Sequence, residues 1–456
     1  MRKILLPLLA LAMGACVPVP SPDTATRTAI SFQDTSGLPT MKSFSHPRPT
    51  APRVSNTDLA RDFIDLSFLL ESGRLLPAFT RFEGPITIRL AGTPPPSLRM
   101  DLNRLVHRLR TEAQIDIRQT SEPRANLSVV AIPRAEIRRH LPQAACFVVP
   151  NVSSFDEYLG ARRNGQVSWS TVTVRQRVAV FLPSDAAPQE VRDCLHEEIA
   201  QALGPLNDMY RLADSVFNDD NIHTVLTGYD MMVLRAYYDP SLRSGMSRAD
   251  VMARLPAILS RVNPQGTSIA PQRLGHTPRP WLEAVQTALG PGASPGQRRA
   301  AAQKAVSIAT TLGWTDHRRG FSHYALGRIL QGVSASAAKD QFALAQRYFS
   351  AAPNTELHQA YVASQLAAYA INAGQANEAL SLIGRHLDTA QRHENAALLS
   401  TLMMLRAEAM ELSGRAAEGR QVRLDSLGWA RYGFGSDWAV RAKLREIASL
   451  NPVKGG

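Results

Sequence analysis

The chain has 456 residues and a formal net charge of +12, from 51 Lys and Arg against 39 Asp and Glu. Such a balance would suit nucleic acid in a cytosolic protein, but the first residues direct this chain out of the cytosol, which excludes that partner. A Walker loop, a dinucleotide fingerprint and a serine-centred elbow are all missing, and Gly433 and Gly435 of RYGFGSDW are too few to cradle a phosphate.

The opening segment MRKILLPLLALAMGAC has a basic start at Arg2 and Lys3, an apolar run and small residues before Cys16. The run is too short for a stop-transfer helix. Met13-Gly14-Ala15-Cys16 resembles a bacterial lipobox, which implies a signal peptide over 1–15 and a lipidated Cys16 as the first mature residue. An ordinary secretory signal with a chance cysteine is the alternative. Val17, where Asp would retain the protein at the inner membrane, favours the outer membrane. The expected address is the cell envelope, anchored in the lipid bilayer through Cys16 and facing the periplasm. Cys146 and Cys194 then remain as an even pair in an oxidising compartment, which predicts a disulfide; two buried free thiols are the alternative.

Residues 16–57 are rich in Pro, Ser and Thr without apolar periodicity and read as a disordered tether. An α+β domain is expected over 58–255. LARDFIDLSFLLESG places Leu59, Phe63, Leu66, Phe68 and Leu70 near helical spacing, with Gly73 as the stop. PITIRLAG alternates like a strand, LRMDLNRLVHRLRTEA is an amphipathic helix, and IDIRQT, ANLSVVAIP, ACFVVP and STVTVRQRVAVFLP are strand-like. Arg99, Arg104, Arg108, Arg110, Arg118, Arg124, Arg134, Arg138 and Arg139 form a basic stretch that reads as a solvated face, with anionic lipid or glycan as the alternative contact.

The next helix carries DCLHEEIAQALGPLND, whose spacing resembles the metzincin signature H-E-x-x-H-x-x-G-x-x-H. In that signature two histidines one turn apart hold zinc, the Glu between them activates a metal-bound water, and a Gly turn brings round a third histidine. Here Glu197 and Gln201 occupy the paired positions, Glu198 that of the general base, Gly204 the turn and Asn207 the third ligand, so the frame reads EExxQxxGxxN. A frame started at His196 would put Ala200 in the second position, which has nothing to donate. One carboxylate and two amide oxygens suit zinc poorly, and Ca²⁺ or Mg²⁺ would want more ligands and charge. Asp208, Asp219, Asp220 and His223 are the residues that could complete a divalent-metal site. The plain alternative is that Glu197, Gln201 and Asn207 hydrogen-bond one another and nearby backbone in place of a metal.

Beyond the motif, DSVFNDD stands where a metzincin has its Met-turn, with Phe217 in the place of Met, and Leu226, Asp230, Leu234 and Tyr237 lie in the register of a closing helix. These segments, together with LARDFIDLSFLLESGRLLPAFTRFEGPITIRL, Cys146 and CLHEEIAQALGPLND, resemble an uncharacterised family of bacterial lipoproteins, the domain of unknown function family 2927, over roughly 58–250. The resemblance implies a metzincin-like fold whose HExxH frame has become EExxQ, and brings no established activity with it.

After a linker over 256–295 the composition turns to Ala, Leu and other helix formers, and an all-α domain is expected over 296–451. Helical stretches pair as 299–312 with 317–331, 335–350 with 356–373, and 376–390 with 395–413, followed by 416–431. Gly374/Glu378 and Gly414/Glu418 share a Gly-x-x-x-Glu frame, which points to stacked helical hairpins that look like a degenerate tetratricopeptide array.

The expected function is that of a lipid-anchored, non-catalytic module: a degenerate zincin-like domain with no cofactor, joined to a helical scaffold that binds a protein partner. The alternative is a metal-dependent peptidase in which Glu197, Gln201 and Asn207 hold a divalent ion and Glu198 is the base. A glycan hydrolase is disfavoured, because adjacent residues such as Glu197 and Glu198 point away from each other on a helix and do not flank a sugar.

Overall fold

A computed structural model describes residues 37–45, 49–142 and 144–454; the signal segment and Cys16 lie outside them. Helix α1 (Asn56–Phe68) starts where the Ser55 hydroxyl accepts from Asp58 N, and it buries Leu59, Phe63 and Leu66. It ends before Gly73 because the chain turns back at once, pairing Leu69 with Leu75. The elements that follow are β1 (Ile86–Gly92), α2 (Pro96–Thr111), β2 (Ile117–Gln119), β3 (Leu127–Ile132), α3 (Arg134–His140), β4 (Phe147–Pro150), α4 (Phe155–Ala161), β5 (Val178–Pro183) and α5 (Pro188–Leu203).

The strands form one mixed sheet in the order β2-β1-β3-β5-β4. Strands β2, β1, β3 and β5 run parallel, and β4 lies antiparallel to β5 at the edge. Successive side chains alternate between the faces. Ile86, Ile88, Leu127, Val129, Val178 and Val180 share a core with Leu98, Leu102 and Leu105 of α2 and Val191, Leu195 and Ile199 of α5. On the other face Val130, Ala179 and Phe181 pack with Tyr158 of α4. Both faces are therefore covered, which is why every residue of β5 is buried.

The strand expected over STVTVRQRVAVFLP is present only from Val178, and 169–171 form a short 3-10 turn instead. The reason is Arg175. Its buried guanidinium donates to the carbonyls of Gln201 (2.6 Å), Ala202 (2.8 Å) and Gly204 (2.5 Å), the unsatisfied C-terminal acceptors of α5. It also lies over the Trp169 ring at 4.8 Å.

Helices α6 (Gly228–Tyr237) and α7 (Arg248–Val262) each begin with a capping box, Thr227 with Asp230 and Ser247 with Asp250. The helical region then comprises α8 (Arg279–Leu289), α9 (Pro295–Thr311), α10 (His317–Leu330), α11 (Ala335–Ala351), α12 (Glu356–Asn372), α13 (Ala376–Gly384), α14 (His386–Arg392), α15 (Ala396–Leu412), α16 (Ala416–Phe434) and α17 (Asp437–Ala448). Neighbours in sequence pack on one another along the series. The expected linker over 256–295 is instead largely helical: it holds the end of α7 and all of α8, whose buried Trp281 donates its indole N–H to Ser322 Oγ at 3.0 Å. Gly374 and Gly414 take φ of +72° and +82° just past α12 and α15. That left-handed step, which costs glycine nothing, explains their repetition.

The proline-rich tether also needs correction. From Gly37 onward its described residues belong to the same compact unit as the rest of the chain. Lys42 N donates to Gly428 O at 3.0 Å, Arg431 donates to Pro39 O at 3.0 Å, and the buried Phe44 ring lies 4.6 Å from that of Trp429. A Cβ on Gly428 would stand 2.8 Å from Lys42 Cγ and 3.0 Å from Thr40 O, so the strap docks only because that residue is glycine. One apolar anchor sufficed where composition suggested none.

Cys146 and Cys194 form a disulfide with Cα atoms 5.9 Å apart and a sequence separation of 48, tying the start of β4 to α5. A closed loop of that length contributes about 4 kcal/mol in the chain-entropy account. We expect Cys194→Ser to lose about 2–4 kcal/mol of stability. In thermal unfolding, reductant should lower the wild-type midpoint to that of the variant and leave the variant unchanged.

Candidate functional site

Helix α5 brings the motif to the edge of the buried sheet and is held from several directions. Cys194 fixes it to β4 and Arg175 caps its end. Arg192 and Gln189 attach it to the helical region: Arg192 donates to Glu394 O at 2.6 Å, and Gln189 donates to Asn395 Oδ1 at 3.2 Å and accepts from Ala397 N at 2.9 Å. His196 is structural. Its Nδ1 accepts from Leu226 N at 3.1 Å, and burial, with Arg192, Arg108 and Arg104 nearby, pushes its pKa far below the usual histidine range, so the ring stays neutral. Gly204 has an extended φ of −170° and is required by contact: a Cβ there would lie 2.8 Å from the Tyr237 ring.

Two members of the basic stretch turn out to be interior struts. Arg108 is 4% exposed, with bonds to Glu112 and Leu226 O, and Arg104 reaches Glu394 at 2.8 Å.

Around the motif the structure gathers carboxyl groups. Glu197 and Asp208 are half-buried, Glu198 is 5% exposed, and Glu71 and Asp219 stand at the rim. Among the described residues none of these five is in an ion pair. Burial, then the charges of Glu71 and Asp219, pushes Glu197 up to about 7. Burial, then Glu197 and Glu71, holds Glu198 well above the usual range, and its Oε2 has no hydrogen-bond partner. Asp208 is likewise raised by burial and by its acidic neighbours, and its carboxyl meets that of Glu71. Burial and the closeness of like charges thus raise all five carboxyls above their usual range.

The amides at the other ligand positions are anchored through their NH₂ groups, not through the oxygens that a metal would take. Gln201 Nε2 donates to Asp208 Oδ2 at 3.2 Å, and Asn207 Nδ2 donates to Asp65 O on α1 at 3.2 Å. Phe217 is fully buried in the main core. His223, offered by the sequence to complete the motif, turns instead to Asp214, with Nε2 to Oδ1 at 3.1 Å. Asp220 turns to His358 of α12 at 2.8 Å.

A cleft of about 380 Å³ opens where 52–62 and 211–214 meet 315–317 and 351–354 of the helical region. Arg53, Asp62, Arg211, Asp214, Tyr229 and His317 line it. Sequence spacing gave no sign of this cleft, because its walls come from separate stretches of the chain.

Residues 56–257 match the family described as protein of unknown function (DUF2927), so this segment, from α1 into α7, is a domain of that family. No curated protein and no solved structure matches the chain.

The raised carboxyls set a pH dependence. A carboxyl whose pKa is raised by folding stabilises the fold fully below its unfolded value, and that contribution is lost as pH rises through its folded value; for Glu197 the window runs from 4.5 to about 7. The thermal midpoint should fall on the order of a few °C between pH 5 and pH 8. The double variant Glu197→Gln/Asp208→Asn should flatten that slope and melt higher than wild type at pH 8. An unaltered slope would show that these carboxyls ionise normally.

Proposed function

We propose, with membership of that domain family as premise, that the chain is a lipid-anchored envelope protein whose front domain is a metzincin-like scaffold serving as a non-catalytic binding module. The observation that carries this reading is the state of the motif. The two amides are anchored through their NH₂ groups by internal hydrogen bonds, and the residue in the general-base position, Glu198, is a buried carboxyl whose pKa is raised well above the usual range by burial and by the neighbouring Glu197 and Glu71. While a carboxyl holds its own proton it cannot take one from water. The metzincin-like reading draws support from the mixed sheet with the motif helix packed on its edge and from Gly204 at the helix end.

The helical region is the second half of the proposal. Successive packed helices, with glycine turns recurring at Gly374 and Gly414, support a tetratricopeptide-like array, a scaffold suited to holding a protein partner. Anchoring through Cys16 would place both halves in the periplasm, with the described strap from Gly37 docked on α16.

Two measurements test this reading. Peptide-library cleavage should be indistinguishable between wild type and Glu198→Gln and insensitive to chelator; cleavage reduced at least about tenfold in Glu198→Gln would establish the peptidase alternative. On fractionation, Cys16→Ser should move the chain from the membrane to the soluble periplasm, and persistence in the membrane fraction would refute the lipid anchor.

A further inference from the structure

Three side chains that the motif does not use converge at the seam between the family domain and the helices. Asp214 and His223 lie on the loop between α5 and α6, and His393 lies in the turn between α14 and α15. One ligand atom from each falls within 4.8 Å of the other two. We propose that Asp214, His223 and His393 form a binding site for a single divalent transition-metal ion of the zinc class, bridging the two parts of the chain.

The donor set fits that class. Two imidazoles and a carboxylate suit Zn²⁺ and its neighbours, whereas Ca²⁺ and Mg²⁺ select all-oxygen sites. The spacing fits as well. His223 Nε2 is 3.1 Å from Asp214 Oδ1, and two ligands on a tetrahedral ion with bonds of about 2.0–2.1 Å stand about 3.3 Å apart. The His223 and His393 rings meet edge-on, with centroids 5.5 Å apart.

Two further observations point to a ligand. The His223 side chain is 2% exposed and its Nδ1 has no partner, an unsatisfied state that buried polar atoms rarely keep. Beside it, His358 is fully buried, has its Nε2 bonded to Asp220 and its Nδ1 without a partner, and places its ring 5.9 Å from that of His223. His358 is not one of the three ligands, and its open nitrogen is a second unsatisfied buried polar atom beside them.

There is also room. Asp214 and His393, though not His223, line a cavity of about 20 Å³, about the size of one ion or water. The two guanidinium groups on its wall are already compensated, Arg108 by Glu112 and Arg392 by Asp388. Asp214 faces the 380 Å³ cleft too, which gives the ion a route from solvent.

The test uses the untagged full-length chain, stripped of metal and dialysed against Zn²⁺ or Co²⁺, with bound metal measured by mass spectrometry and Co²⁺ coordination by visible absorption. Expected are one equivalent of Zn²⁺ and a tetrahedral Co²⁺ spectrum, with affinity reduced more than about 100-fold in His393→Ala and in Asp214→Asn. Glu197→Gln/Gln201→Ala should bind as wild type does. Because His393 is half-buried and Asp214→Asn is isosteric, at least one of the two variants should retain the wild-type circular dichroism spectrum. Sub-stoichiometric metal in the wild type, or full binding in a folded Asp214→Asn or His393→Ala, would overturn the assignment. Loss in the motif double variant alone would move the metal to the motif helix and overturn it equally.

Discussion

A guanidinium with almost no access to water must find its counter-charges inside the protein, and Arg192 finds them across the seam between the two parts of this chain. Its side chain is 1% exposed, with Glu394 on one side and the rings of Phe44 and Tyr432 at 5.7 and 5.2 Å. Removing one partner of a buried ion pair costs about 3–5 kcal/mol, because the other charge is left stranded. The helical region therefore cannot lift off the family domain without exposing or abandoning that charge. Phe44 adds the N-terminal strap to the same knot, and Tyr432 carries it on to Asp101 of α2 through a 2.9 Å hydrogen bond. Strap, sheet domain and helices thus meet around one side chain.

Arg192 sits on the same helix as the motif, and at 100° per residue it points about 140° away from Glu197. The face of α5 that looks toward the helices and the face that carries EExxQ are consequently fixed together. With Cys194 tied to β4 and the C-terminus of α5 capped by Arg175, the helix has no freedom to reorient its acidic side chains. Rigidity of this kind would serve a metal site, and it equally keeps Glu198 in an environment where its charged form is disfavoured. The carboxyls stay close together, and their pKa values stay raised.

Much of this was legible locally. Apolar periodicity gave the helices from α9 to α16 to within a few residues, with one difference at Arg385, where the expected 376–390 helix breaks into α13 and α14. The short helices α3 and α4 carry too few turns for a period to show, and α8 was hidden by the prolines and glycines around it. Arg175 misled in a different way: alternation of Thr and Val around it matches a strand, and only the distant carbonyls it caps reveal a turn. Phe44 could not be recognised as an anchor because its partners, Trp429 and Tyr432, lie at the far end of the chain. Glu197, Gln201 and Gly204 were found because helical spacing is a local property. His393 was not, because nothing near it in sequence resembles a ligand set, and its neighbours in space come from a loop that precedes it by more than half of the helical region.

That loop, 214–223, separates two kinds of polar chemistry. Asp219 faces Tyr210 and the acidic cluster around Glu197, while its neighbour Asp220 turns to His358, and Asp214 and His223 turn to His393. An ion held there would be bound jointly by the family domain and the α14–α15 turn, so its affinity would depend on their docking and their docking on its presence. Charge balance then organises both centres. On the side facing the motif the carboxyls crowd and raise one another's pKa, and an ion at Asp214, His223 and His393 would add a cation to the seam that Arg192 already closes.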